Sequence, residues 1–205
     1  IQSEPLSGQA QAERIVLEVY GIQGSAADLP SERDRVFRIA ATDGSSWVLK
    51  VSNALESRDV LDAQLQVAAR AAAAGLPVQS VRRSRDGAEI AEVDGHLVRL
   101  LEHLPGTLMA DAAPSTPALR RDLGAVLGRL ANALEGFDHP HAHRDFHWDV
   151  VRTGEVVARH RDAVTDSSRR ALLDEVAARF ARDVEPRLAA LPHAVIHGDA
   201  NDHNV

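Results

Sequence analysis

His197-Gly198-Asp199-Ala200-Asn201-Asp202-His203-Asn204 closes the chain, directly after the apolar run Ala194-Val195-Ile196. The apolar run predicts a short buried strand. Gly198 permits a sharp turn after it, which sets Asp199 on a loop beyond the strand end. An Asp with an Asn five residues later is a pattern with a chemical use. A carboxylate beside an alcohol can orient the hydroxyl and take its proton, and a side-chain amide oxygen can hold a metal-bound phosphate group. Read without context, the same residues also describe an ordinary polar turn, so the rest of the sequence has to decide between the two.

Composition narrows the field. The 205 residues can form one large domain or two small lobes, and 44% apolar residues can build a core although aromatics contribute only 3%. A net charge of −7 gives no reason to expect a nucleic-acid or anionic-membrane partner. No apolar run reaches the length of a membrane span, and no signal peptide is evident. The absence of Cys excludes disulfides and thiolate metal sites, and a reducing cytoplasm is the expected compartment. Of the 23 basic side chains all but one are Arg; the exception is Lys50. Arg is a planar fork and Lys a compact point charge on a flexible stem, so a lone Lys marks a position where the fork will not serve.

Lys50 sits in Trp47-Val48-Leu49-Lys50-Val51, the returning strand of a hairpin whose outgoing strand is Arg35-Val36-Phe37-Arg38-Ile39 and whose turn is Asp43-Gly44. Before it, Ile15, Val16, Val19 and Tyr20 stripe a helix over 8–20, with Ser7 as its expected cap and Gly21 and Gly24 at its end. After it, Val60, Leu61, Leu65, Val67, Ala68, Ala71 and Ala72 stripe a helix over 56–74 closed by Gly75 and Pro77. Residues 78–101 return to strands around the turns Asp86-Gly87 and Asp94-Gly95. The order predicts five strands before residue 102, with one helix between the third and the fourth.

A strand Lys, a helix, and a distant Asp with Asn five residues on have the spacing of protein kinases. With Gly in the middle of His197-Gly198-Asp199, the chain resembles the aminoglycoside phosphotransferase and choline kinase branch of the kinase-like superfamily. Pro30-Ser31-Glu32-Arg33-Asp34, Leu49-Lys50-Val51-Ser52-Asn53 and Asp62-Ala63-Gln64 are similar to the hydroxylysine kinase–like phosphotransferases, a type also found fused to class-III aminotransferases. No G-x-G-x-x-G loop precedes the strands, which departs from protein kinases but not from this branch.

The resemblance implies an α+β, protein-kinase-like two-lobe fold with a five-stranded antiparallel sheet: an N-lobe over 1–101, a hinge over 102–107 and a partial helical C-lobe over 108–205. It implies ATP or GTP as co-substrate, Mg²⁺, and a small-molecule alcohol as acceptor, an amino alcohol such as hydroxylysine or ethanolamine. Asp199 would be the catalytic base, Asn204 the metal ligand and Lys50 the contact to the α- and β-phosphates. The turn at Ser31 and Arg33 would cover the triphosphate, and backbone groups of Glu102 and Leu104 would meet the nucleobase. An acid on the 56–74 helix would brace Lys50. Asp62 is the candidate, with the amide of Gln64 a less conventional one; the two lie about 200° apart around the helix. An antibiotic phosphotransferase and a non-catalytic domain regulating a fused aminotransferase are the rival readings.

The second half reads as helical. Leu119, Leu123, Val126, Leu127, Leu130 and Leu134 form one stripe, capped by Thr116 with Pro117 at the first position, and Leu172, Val176, Phe180 and Val184 form another over 168–191, capped by Ser167 or Ser168. The two stripes are expected to form the core of a helical lobe. Between them, 139–147 holds four His. Its readings are a loop anchored by Phe146 and Trp148, a metal site, or an acceptor pocket in which Trp148 and Asp149 hold an ammonium. Because the chain starts at Ile1 and stops one residue after Asn204, before any second metal-binding Asp, it reads as a fragment expected to bind nucleotide weakly and turn over poorly.

Overall fold

In the computed structural model, which describes residues 8–31, 33–112, 114–143 and 148–205, the chain divides into two compact units. One comprises residues 1–142 with 195–205, the other residues 143–194.

The first unit is built on an antiparallel sheet. Its strands are β1 (Gly24–Leu29), β2 (Arg35–Ala41), β3 (Ser46–Val51), β4 (Val81–Arg82), β5 (Ala91–Val93) and β6 (His96–Glu102). They run in the order β1-β2-β3-β6-β4, with β5 also paired to β6. The sheet thus has six strands rather than the expected five. The turn at Asp94-Gly95 folds 91–102 back on itself, which Asp94 and Gly95 allow by taking φ of 50° and 79°. The helix α2 (Arg58–Ala73) falls between β3 and β4, the expected position.

Register assigns the two faces of the sheet. Phe37 pairs with Leu49 and Leu49 with Leu100, while Val51 pairs with Val98. These side chains share one face and are almost fully buried with Ile15, Val16 and Tyr20 from the N-terminal helix. That helix, α1 (Gln9–Ile15), widens into a π-helical turn over Val16–Tyr20 and ends at Gly21 in the left-handed conformation. Its cap is Gly8; the expected cap, Ser7, lies outside the described residues. The other face carries Val48, Lys50, Arg99 and Leu101, and α2 reaches it through hydrogen bonds from Arg99 to Gln64 and from Arg58 to the Ile90 carbonyl.

α2 begins two residues later than its apolar stripe predicts, because the Ser57 hydroxyl accepts from the Val60 N–H and caps it there; Glu56 therefore precedes the helix. The long helix α3 (Pro117–Ala133) is capped by Thr116 as expected. Its stripe is half-buried apart from Val126, which is exposed, and Leu134, which is enclosed.

The second unit contains α4 (Thr153–His160), α5 (Ser167–Asp183) and α6 (Glu185–Leu188). The cap of α5 is Asp166, whose carboxylate accepts from the Arg169 N–H, not Ser167 or Ser168. Pro186 starts a new turn, so the expected helix over 168–191 breaks at Val184. Leu172 and Val176 are exposed, and α3 and α5 belong to different units. The α5 stripe is thus exposed at these two positions, since an apolar stripe is buried only where a second apolar surface meets it. No helix among the described residues is long and apolar enough to cross a membrane.

Candidate active site

The loop after Ile196 brings its polar residues together. Gly198 takes φ of 76°, a left-handed conformation that costs a side-chain-bearing residue about 1 kcal/mol or more. Beyond this turn Asn204 folds back on Asp199. Its Nδ2 donates to the Asp199 carbonyl at 2.9 Å and to Oδ2 at 2.7 Å. Asn201 Nδ2 donates to the other carboxylate oxygen at 2.8 Å. Two neutral amides therefore hold the carboxylate, each on its own oxygen. Because the Asn204 amide nitrogen is spent on Asp199, the Asn204 Oδ1 is left without a partner among the described residues. A carbonyl oxygen next to a carboxylate is the hard donor set that Mg²⁺ takes, so these residues fit the ion.

The loop is tied down from an unexpected place. The Met109 N–H donates to the Val205 carbonyl and the Ala110 N–H to the Asp202 carbonyl, each at 2.8 Å. No periodicity marks 108–112, so nothing in the sequence pointed there. The expected strand over 194–196 is irregular instead, with Ile196 69% exposed. A strand needs a partner for its backbone groups, and the described residues provide none. An apolar cleft of about 330 Å³ lies beside the loop, lined by Leu127, Leu130 and Ala131 of α3 with Ile196 and His197.

Lys50 lies on the α2 face of the sheet, directly across from Arg99 on β6. Burial pushes the Lys50 ammonium below its ordinary value, and the Arg99 charge pushes it further, with Asp34 opposing. Burial likewise lowers Arg99, opposed by Asp34 and Glu56. Asp34 is fixed by Asn53, whose backbone N–H and side-chain amide both donate to its Oδ1. Neither cation is ion-paired with a described residue.

The two bracing candidates on α2 part company. Asp62 accepts from Gln66 at 2.6 Å and faces His139 at 3.7 Å, away from Lys50. Gln64 turns inward and accepts from Arg99 Nη1 at 2.9 Å. The structure therefore does not bring Asp62 to Lys50. Arg99, which the sequence reading overlooked, takes the inward helix contact. Its one signal was a charged residue within the apolar strand His96–Glu102.

The remaining candidates are spread along the first unit. Ser31 and Arg33 are exposed in the β1–β2 turn, on either side of Glu32, which lies outside the described residues. Glu102 has both backbone groups engaged, its N–H with the Ser80 carbonyl and its carbonyl with Gln79 Nε2. Leu104, two residues on, has neither engaged among the described residues. In the second unit, Asp149 caps a short 3₁₀ turn by accepting from the Val151 N–H, and Trp148 is 71% exposed rather than a packing anchor. Phe146 and His147 lie outside the described residues. Among those described, no cluster of three or more His, Cys, Asp or Glu is placed to hold a metal. His139 and His141 instead face Asp62 and Asp59 of α2.

A model of the phosphotransferase enzyme family matches residues 27–205, from β1 through Asn204. The chain belongs to the phosphotransferase enzyme family. Among curated relatives, the hydroxylysine kinases of Mus musculus and Bos taurus are 31% and 30% identical to it over 99% of its length. The chain spans 59% of the length of each. A microcompartment-associated aminopropanol kinase shares its fold with a TM-score of 0.68 at 17% identity, over 86% of this chain and 57% of that one. A spectinomycin phosphotransferase solved with ADP and spectinomycin gives a TM-score of 0.64 at 12% identity, over 98% of this chain and 65% of that one. Both structures thus share the α+β, kinase-like fold of this chain.

Proposed function

We propose that the chain is the nucleotide-binding and catalytic-loop portion of a small-molecule kinase, which transfers the γ-phosphoryl group of ATP or GTP to a hydroxyl of an amino alcohol of the hydroxylysine or ethanolamine kind. The observation that carries this reading is the 2.7 Å bond from Asn204 to Asp199, which leaves one carboxylate and one free amide oxygen side by side. The choice of acceptor rests on the hydroxylysine kinases that match the whole length of the chain.

In this mechanism Asp199 accepts a hydrogen bond from the acceptor hydroxyl and takes its proton as the oxygen bonds to the γ-phosphorus. The bond from that phosphorus to the β–γ bridging oxygen breaks, and the nucleoside diphosphate leaves. Asn201 and Asn204 keep the carboxylate oriented through the transfer. Asn204 Oδ1 would hold Mg²⁺, which when bound neutralises phosphate charge. Lys50 contacts the α- and β-phosphates, and the β1–β2 turn at Ser31 and Arg33 lies over the triphosphate. Residues 102–107 act as the hinge, where the unengaged backbone of Leu104 receives the nucleobase and Glu102 anchors the segment to 79–80. Most of the rate comes from positioning and charge neutralisation. The reading includes a cytoplasmic setting, where nucleoside triphosphate is available.

The test uses the full-length gene product. Nucleotide consumption is followed with Mg-ATP and Mg-GTP against amino alcohols, sugars and aminoglycosides, with Asp199→Asn as control. The expected result is turnover on an amino alcohol that falls by roughly 10²- to 10⁴-fold in the variant. Turnover confined to an aminoglycoside would move the acceptor class, and nucleotide binding without turnover on any acceptor would overturn the enzymatic reading.

A further inference from the structure

Arg99 is a problem for the fold unless it has a use. It is 5% exposed, yet it sits on a strand directly opposite the only Lys of the chain. Two like charges across a non-terminal strand pair repel, and burial raises the cost of both. One guanidinium nitrogen donates to Gln64, but Nε has no hydrogen-bond partner among the described residues. A hydrophobic residue here would pack beside Leu101 and Val48 at no electrostatic cost. The groups that face the two cations are Gln64 from α2, Asp34 from the β1–β2 turn, Glu56 from the segment before α2, and Tyr20 from the N-terminal helix. The first is neutral, and no carboxylate among them closes an ion pair with either cation. A buried guanidinium and a half-buried ammonium are thus held together with no carboxylate of the described residues in ion-pair contact.

In protein kinases a Glu on the corresponding helix pairs with the strand Lys. Here the inward helix residue is an amide, and it binds the neighbouring Arg. We propose that Arg99 is a second phosphate-facing cation of the nucleotide site, and that Gln64 fixes it through a neutral carbonyl so that both positive charges stay available to the triphosphate. This rests on the kinase reading above. The fold tolerates the repulsion because the bound polyphosphate relieves it. The site therefore discriminates strongly by phosphate charge, and it differs from a Lys–Glu arrangement in which one positive charge is already neutralised.

Gln64→Glu is the decisive variant, because it keeps Arg99 and its packing in place and adds the missing negative charge. Binding of ATP, ADP and adenosine to the full-length protein is measured by calorimetry alongside thermal unfolding. The expected result is at least about tenfold weaker ATP and ADP binding, unchanged adenosine binding and an unchanged or raised melting temperature. Arg99→Lys, which keeps the charge, is expected to stay within about threefold of the wild type for ATP, whereas Arg99→Met follows Gln64→Glu. If the wild type binds ATP and Gln64→Glu binds it equally well, Arg99 is only a structural residue and the second-cation assignment fails while the kinase reading stands. If the wild type binds neither ATP nor adenosine, the kinase reading fails and this assignment falls with it.

Discussion

Raising the pH should open the sheet unit through a single phenol. Tyr20 is the only Tyr of the chain, and it is buried between the π-helical turn and β6, where its hydroxyl donates to the Val98 carbonyl at 3.4 Å. Burial raises its pKa from 10.0 to about 12, with a hydrogen bond from the Leu100 backbone and the Arg99 charge opposing. In the unfolded chain the same group ionises near 10. Between about pH 10 and 12 the folded state holds a proton that the unfolded state has released, so stability falls with rising pH. The stabilisation is complete below the unfolded pKa and is lost as the pH passes through the folded one. Two pKa units correspond to about 3 kcal/mol, a large part of the stability of a small domain. Tyrosinate absorbance near 295 nm reports Tyr20 alone. Its titration midpoint should lie well above 10 in the native protein, coincide with loss of helical circular dichroism, and return toward 10 in denaturant. Tyr20→Phe should shift the alkaline unfolding transition upward. A native midpoint at 10, or a Phe variant that unfolds at the same pH as the wild type, would refute the burial argument.

Asp174 is held below the usual carboxylate range by hydrogen bonds from Arg161, at 2.5 and 2.6 Å. Its folded pKa is depressed, so its contribution is present above the unfolded pKa and disappears as the pH drops through the folded one. Amide exchange in the first half of α5 should therefore accelerate below about pH 4, and Arg161→Ala should abolish that pH dependence; exchange that ignores acid in the wild type would refute the assignment. Asn204→Ala removes both hydrogen bonds to Asp199 and the free amide oxygen together. In the full-length protein the Mg²⁺ concentration for half-maximal turnover should rise by about tenfold or more, and an unchanged Mg²⁺ dependence would take Asn204 out of the metal site.

Much of the site was written in short stretches. The turn at Gly198, the Asp199-to-Asn204 spacing, the hairpin around Asp43-Gly44 and the Thr116 cap all act within about five residues, so each leaves a local trace. Lys50 stood out by composition alone. Where the sequence reading missed, a local signal had a competitor that only the fold could rank. Ser57 and Asp166 moved helix boundaries, and the expected turn at Asp94-Gly95 closed one strand more than the count allowed. The apolar run at 194–196 found no partner strand among the described residues and stayed irregular.

Tertiary structure decided the rest. The helix stripe allowed either Asp62 or Gln64 to face inward, and the rotation of α2 on the sheet turned Gln64 in and Asp62 toward His139. Lys50 and Arg99 became neighbours through the β3–β6 register, which no local pattern encodes. The anchoring of the terminal loop by Met109 and Ala110 arises in the same way. Chemistry that depends on one residue type at one turn is legible in sequence because steric and hydrogen-bonding rules act between near neighbours. The balance of charge in a site is not, because it sums contributions from strands and helices whose adjacency exists only after the chain has folded.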